Sequence, residues 1–322
     1  MGVLRDLSVS QQLGLLFVAL FGALTLATLV AFLVTLREGT ESDVAKRESF
    51  GRDLRAVWVA SILFWTAWAA GPLISTLLFG VVSFIALREL ITLTHTRRAD
   101  HRSLLLGFFV VLPTQYLLVG LRHFDLFSVF IPVYVFLAIA VVSAFGNDPR
   151  RFLERAATIQ WGIMVCVYGI SHAPALLLLE LPGYAGRGAF LVLFLVAVVA
   201  IAQIVQESAS RRLRRRPVAR AISRSFSWRA WGLGVLSAGL LGGLLYWATP
   251  FKPIAALLMA CVAGGCGTLG EFVMKALKRD AGVRNWGGQA SVTGAVGLLD
   301  RIAPLCFAAP VFFHAVRWHF HL

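Results

Sequence analysis

Charge is scarce in this chain, and acidic charge is scarcer still. Only 14% of its 322 residues are Asp, Glu, Lys or Arg, and 16 acidic residues stand against 30 basic ones. A soluble domain carries roughly a quarter charged residues, so the scarcity argues against a large soluble helical protein. Cysteine is also sparse. Cys166, Cys261, Cys266 and Cys306 lie in or beside apolar runs and none forms a CxxC pair. That pattern argues against a disulfide framework or a zinc site and leaves buried, soft side chains. No internal repeat is evident, and the short Arg cluster at 211–216 is the one biased segment.

What is abundant is apolar sequence: 58% of the residues are hydrophobic. The charges gather in short islands between apolar runs of about 20 residues, the length that crosses a hydrocarbon core of about 30 Å. Ten spans are expected, at roughly 12–36, 56–70, 72–93, 104–121, 126–146, 157–179, 188–206, 230–248, 253–274 and 302–318. The first run is too long for a signal-peptide core and lacks a clear small-residue cleavage site, so it reads as a retained span. The stretch from Ala56 to Leu87 is free of charge and too long for one span, and Gly71-Pro72 divides it, because proline cannot continue a helix. The expected fold is therefore all-α, a polytopic transmembrane helical bundle. Trp58, Trp228, Trp231 and Trp318 fall near span ends, as an interfacial aromatic belt requires.

The formal net charge of +14 raises the question of nucleic acid, since basic chains bind phosphate backbones. The arginines instead sit in alternate loops. One set of loops holds Arg37, Lys46, Arg47, Arg52 and Arg55; Arg97, Arg98 and Arg102; Arg150, Arg151 and Arg155; eight arginines between 211 and 229; and Lys275, Lys278, Arg279, Arg284 and Arg301. The other set holds Arg5, Arg122, Arg187, Lys252 and Arg317. By the positive-inside rule the first set is cytoplasmic and both termini are outside. Membrane lipids, not nucleic acid, are the expected surroundings, and the expected location is the inner (plasma) membrane of a bacterium. Two large loops, 207–229 and 275–301, then face the cytoplasm.

The segment 264–301, GGCGTLGEFVMKALKRDAGVRNWGGQASVTGAVGLLDR, starts as a span and ends as a glycine-rich polar loop. Glu271, Lys275 and Lys278 fall at i, i+4 and i+7 and share a helix face. Gly282 is placed to end that helix in a left-handed cap. Asp300-Arg301 return at the start of the last span. Carboxylates at a membrane end hold hard divalent cations, basic neighbours neutralise phosphate, and glycines admit phosphates to the backbone. The same features also have plain readings: Glu271-Lys275 is an ordinary i,i+4 pair, and juxtamembrane basic residues meet anionic lipid. His172, alone in an apolar run, reads as a packed histidine, and Glu89, beside Arg88 at a span end, reads as an interfacial anchor.

This segment resembles the signature region of the phosphatidate cytidylyltransferase (CDP-diacylglycerol synthase) family, whose pattern runs approximately GDLxESxxKRxxGxKDxG and then PGHGGxLDRxD. Gly270-Glu271 stands for Gly-Asp, Lys278-Arg279 for Lys-Arg, and Gly282, Gly287, Gly294 and Gly297 for family glycines, with Asp300-Arg301 in the LDR position. The run CFAAPVFFH and, more weakly, FIALRE at 84–89 are similar too. The resemblance covers about 56–318, so residues 1–55 read as an additional N-terminal span and cytoplasmic loop and 56–322 as a cytidylyltransferase-like transmembrane domain. It implies transfer of CMP from CTP to phosphatidate, giving CDP-diacylglycerol and pyrophosphate. Glu271 and Asp300 would be catalytic and hold Mg²⁺; Lys278, Arg279 and Arg301 would bind phosphates; Gly282, Gly294 and Gly297 would shape the backbone. A second copy of the chain is a candidate partner.

The chain also departs from the family at polar positions. The family histidine is Ala295 and the proline before it Thr293, an Asp is Ala303, Glu-Ser is Met274-Lys275, another Asp is Ala200, and a lysine is Phe226. The alternative is therefore a catalytically inactive member that acts as a membrane scaffold or partner subunit. A transporter fits less well, because transporters place polar groups and broken helices at mid-membrane.

Overall fold

The structure is a computed structural model, and it describes residues 9–35, 41–94, 96–213, 217–223, 226–282 and 297–322. Among these residues it is all helical. The helices are α1 (Val9–Thr35), α2 (Glu41–Ala69), α3 (Gly71–Thr92), α4 (Arg98–Gly120), α5 (Phe124–Ala144), α6 (Phe152–Leu178), α7 (Gly188–Leu213), α8 (Trp228–Leu244), α9 (Pro253–Asp280) and α10 (Leu298–Phe320). Seven of them, α3–α7, α9 and α10, are long and apolar enough to cross a membrane. The other three coincide with the remaining expected spans: α1 has 27 residues, α2 carries an apolar stretch Val57–Ala69, and α8 has 17 residues. The polytopic helical reading thus stands, and ten remains an approximate span count.

The chain divides into two compact units, Met1–Gly71 and Pro72–Leu322. In the first, α1 and α2 pair through aromatic rings. Phe17 meets Trp65 edge-on at 5.0 Å, Phe21 lies 5.5 Å from Trp58, and the Trp58 indole N–H donates to Thr28 Oγ1 at 3.0 Å. The expected break is present: Gly71 adopts φ +84, a left-handed conformation that glycine tolerates without strain, and Pro72 follows in the first turn of α3.

In the second unit α3 is inverted relative to a helix of a soluble protein. The buried face of α3 carries Ser75, Thr76, Gly80, Ser83 and Glu89 beside Ala86, Leu87 and Leu90, whereas Leu73, Leu77, Val81 and Phe84 are exposed. Small and polar residues pack inward and large apolar ones face out, as expected where the surrounding solvent is lipid. Buried hydroxyls pair across helices; those of Ser83 and Tyr116 lie 2.5 Å apart. Small residues also bring α7, α8 and α9 together. A methyl group on Gly242 would sit 2.2 Å from the Ala260 Cβ, and one on Gly264 would sit 2.7 Å from the Ala238 Cβ. The apolar core runs through Leu87 and Leu90 of α3, Leu112 of α4, Ile139 of α5, Ile159 and Ile163 of α6, Met274 of α9, and Leu299 and Ala303 of α10. One π-helical turn interrupts each of α4 (Gly107–Val111), α5 (Phe130–Val135) and α6 (Met164–Gly169).

The ends of α4, α5 and α6 are tied by buried charge. Arg155 is 5% exposed and Asp100 1%. The Arg155 guanidinium lies 3.3 Å from Asp100 Oδ1 and 2.8 Å from Asp148 Oδ2, and it donates to the Asp148 carbonyl at 2.7 Å. Arg97 adds its backbone N–H to Asp100 and its side chain to Asp148. His172 is packed as expected: its Nδ1 lies 2.7 Å from the Tyr168 carbonyl, and its ring meets Phe127 and Phe313.

Candidate functional site

The α9–α10 end gathers most of the sequence-derived site residues. α9 runs past its apolar portion to Asp280 and ends as expected, with Gly282 at φ +69. α10 begins after Gly297, also left-handed at φ +74. The two helices approach closely one residue from Glu271, since a Cβ on Gly270 would fall 2.4 Å from the Phe307 ring.

Each candidate carboxylate meets a different lysine of α9. Glu271 Oε1 pairs with Lys275 Nζ at 2.7 Å, and its Oε2 accepts from the Gln203 amide of α7 at 3.0 Å. Asp300 Oδ1 pairs with Lys278 Nζ at 2.5 Å across the two helices. All four side chains are partly exposed, between 17% and 33%. Arg279 and Arg301 are exposed at the same two helix ends. Gly294 and Ala295 lie outside the described residues, as do Thr293 and Gly287.

Among the described residues no group of three or more His, Cys, Asp or Glu is placed to hold a metal ion. Mg²⁺ ordinarily needs only one or two carboxylates, with water and substrate phosphate completing its shell. Glu271 and Asp300 are hard oxygen donors with part of their surface accessible. They suit that ion in company with a phosphate ligand, not as a closed cage.

Two further residues belong to this end. Glu89, expected to be an interfacial anchor, is instead 2% exposed, and its Oε2 accepts the backbone N–H of Leu298 at 3.0 Å. Gln203, one helical turn after Ala200 on α7, holds Glu271. The signal for Glu89 was an acid inside the apolar third span, in FIALRE; Gln203 gave no signal.

Two described positions where the resemblance lacks polar groups, Phe226 and Ala303, are filled with packing. Phe226 is buried, its ring tilted against Phe272 at 4.5 Å and edge-on to Trp228 at 5.6 Å. Ala303 lies in the apolar core. Ser227, the residue after Phe226, caps α8 by accepting from the Ala230 N–H.

A model of the cytidylyltransferase family matches residues 51–319. The chain belongs to the cytidylyltransferase family. It is also 37% identical over 305 residues to Uncharacterized protein YnbB of Escherichia coli (strain K12), covering 93% of this chain and 96% of that protein. Cytidylyltransferase membership supports a CTP-using transferase of the nucleotidyltransferase class, carried on helices suited to an integral membrane protein.

Proposed function

We propose that this cytidylyltransferase family member transfers CMP from CTP to phosphatidate, or a related phospholipid, at the cytoplasmic face of a bacterial inner membrane. The observation that carries the reading lies in the matched region, where two partly exposed carboxylate–lysine pairs stand along α9, Glu271 with Lys275 and Asp300 of α10 with Lys278. The arginine-rich alternate loops support the cytoplasmic orientation, and CTP is cytosolic.

A phosphatidate oxygen attacks the α-phosphorus of CTP. The bond from that phosphorus to the oxygen bridging to the β-phosphate breaks, and pyrophosphate departs with the electron pair. The nucleophile is already anionic, so the protein needs to position and to neutralise. Lys278, Arg279 and Arg301 offset the charge of the triphosphate and of the lipid headgroup. Glu271 and Asp300 would hold Mg²⁺. The chemistry such an ion would supply there is neutralisation of the negative charge on the phosphates. Gln203 keeps Glu271 oriented, and Gly282 and Gly297 turn the backbone at the two helix ends.

One observation favours a second reading, a non-catalytic scaffold or partner subunit, as a homodimer or with another protein. Phe226 and Ala303 are built into apolar packing where the family has a lysine and an aspartate. The experiment is pyrophosphate release by the purified full-length protein in detergent, with CTP, Mg²⁺ and a panel of phosphorylated lipids. Release that disappears in Glu271→Ala and Asp300→Ala supports the transferase; release that survives both removes the proposed metal site. No release across the panel favours the scaffold.

A further inference from the structure

We propose that Glu89 is a positioning residue of this site: from α3 it grips the first turn of α10 and thereby sets the placement of Asp300 and Arg301 against Lys278.

A helix N-terminus leaves its first amides without intrahelical acceptors. The N-cap of α10 is Gly297, which has no side chain to supply one. The acceptor comes from 209 residues away, as Glu89 Oε2 takes the Leu298 N–H at 3.0 Å. The other carboxylate oxygen, Oε1, is buried without a hydrogen-bond partner among the described residues. Negative charge is favourable at that end of a helix, so the contact is both a cap and a charge match. Leu87 and Leu90 flank Glu89 on α3 and join Leu299 and Ala303 in one core, which fixes the two helices laterally while Glu89 fixes α10 along its axis.

A cap alone does not explain the choice of residue. Burying a carboxylate is costly, and this one is buried close enough to Asp300 for the two charges to repel. A serine or asparagine would cap the helix without that repulsion. A second acid makes sense if Asp300 must be turned away from the backbone amides and towards Lys278, which it meets at 2.5 Å. Glu89 occupies the Leu298 amide, and Asp300, two residues later, is left to face the basic side chain.

The kinetic part of this inference rests on the nucleotidyl-transfer reading; the placement of α10 does not. The test uses full-length protein in detergent or nanodiscs, with Glu89→Ala and Glu89→Gln. Backbone hydrogen exchange is followed in the fragment covering 297–303, with α6 as internal reference. Loss of a cap predicts exchange about tenfold faster at Leu298–Asp300 in Glu89→Ala, with α6 unchanged. Glu89→Gln, which keeps a carbonyl acceptor, stays within about threefold of the parent protein on the same grounds. In pyrophosphate release, Glu89→Ala lowers kcat about tenfold with KM for CTP nearly unchanged, because only alignment is lost. Unchanged protection and kcat in Glu89→Ala overturn the proposal. So does exchange that rises in α6 as much as in α10 in both variants, which would make Glu89 a general packing residue. If the parent protein releases no pyrophosphate, the transferase reading fails, and the exchange result alone decides whether Glu89 holds α10.

Discussion

Two ion-pair clusters in the second unit, one of arginine with aspartate and one of lysine with glutamate and aspartate, have different characters. At the α4–α5–α6 ends, Arg155 and Asp100 are almost fully buried, and Arg155 is held at once by Asp100, the Asp148 carboxylate and the Asp148 carbonyl. At the α9–α10 end, each acid meets one lysine and every partner keeps accessible surface. A buried charge is tolerated only when its partners are complete, and removing one leaves the other stranded. A partly exposed pair contributes little to stability and can exchange partners when a more highly charged ligand arrives. The contrast separates a joint from a site, and it can be probed from both sides.

The largest expected effect is on the site side. Asp300→Ala lowers pyrophosphate release by about a thousandfold, the upper range for removing one preorganised electrostatic group, and leaves the thermal midpoint nearly where it was. A comparable loss of stability would assign Asp300 to the joint class. Next is Arg155→Met, which strands Asp100. A stability loss of about 3 kcal/mol is expected in denaturant titration, at the low end for a broken buried pair because the Arg97 N–H still serves Asp100. Release per folded molecule should not change. Phe226→Lys then asks whether the family lysine can simply be restored. Placing an ammonium against Phe272 should cost about 1–3 kcal/mol without raising the rate; a faster enzyme would show that the aromatic packing had displaced a usable site. The smallest effect concerns Asp148. The Arg150 backbone N–H, with Arg97 and Arg155 alongside, holds its carboxyl below the usual aspartate range. Its stabilisation is therefore present above the unfolded value of about 3.9 and is lost as pH falls through the lower folded value. Asp148→Asn should flatten the acid limb of a thermal-midpoint profile while changing the midpoint at pH 7 only slightly.

Much of this fold could be read from the sequence, because a bilayer allows few alternatives. Apolar runs of spanning length must become helices, and each of the ten expected spans falls on one. The break at Gly71 was identifiable because Pro72 cannot continue a helix, and Gly282 because a left-handed helix cap favours glycine. The helix ends were less visible: α2 begins at Glu41, α7 continues to Leu213 and α9 to Asp280. Helices outlast their apolar portions, as in α7, where Glu207 and Arg211 form an i,i+4 pair. The site was visible on α9 and α10, where spacing along one helix is geometry. Contacts between distant segments were not, so Gln203 went unseen and Glu89 was assigned to the interface. The π-helical turns in α4, α5 and α6 leave no periodic mark that a hydropathy pattern records.

The most direct measurement of the central claim follows the nucleotide itself. Full-length protein reconstituted in vesicles containing phosphatidate is given CTP labelled at the α-phosphorus, with Mg²⁺, and the lipid is then extracted. The account expects label to enter the lipid fraction as a CDP-lipid, with equimolar pyrophosphate released and both products formed about a thousandfold more slowly by Asp300→Ala. Label that stays wholly in the aqueous phase with folded parent protein, across phosphatidate and related phospholipids, would contradict it.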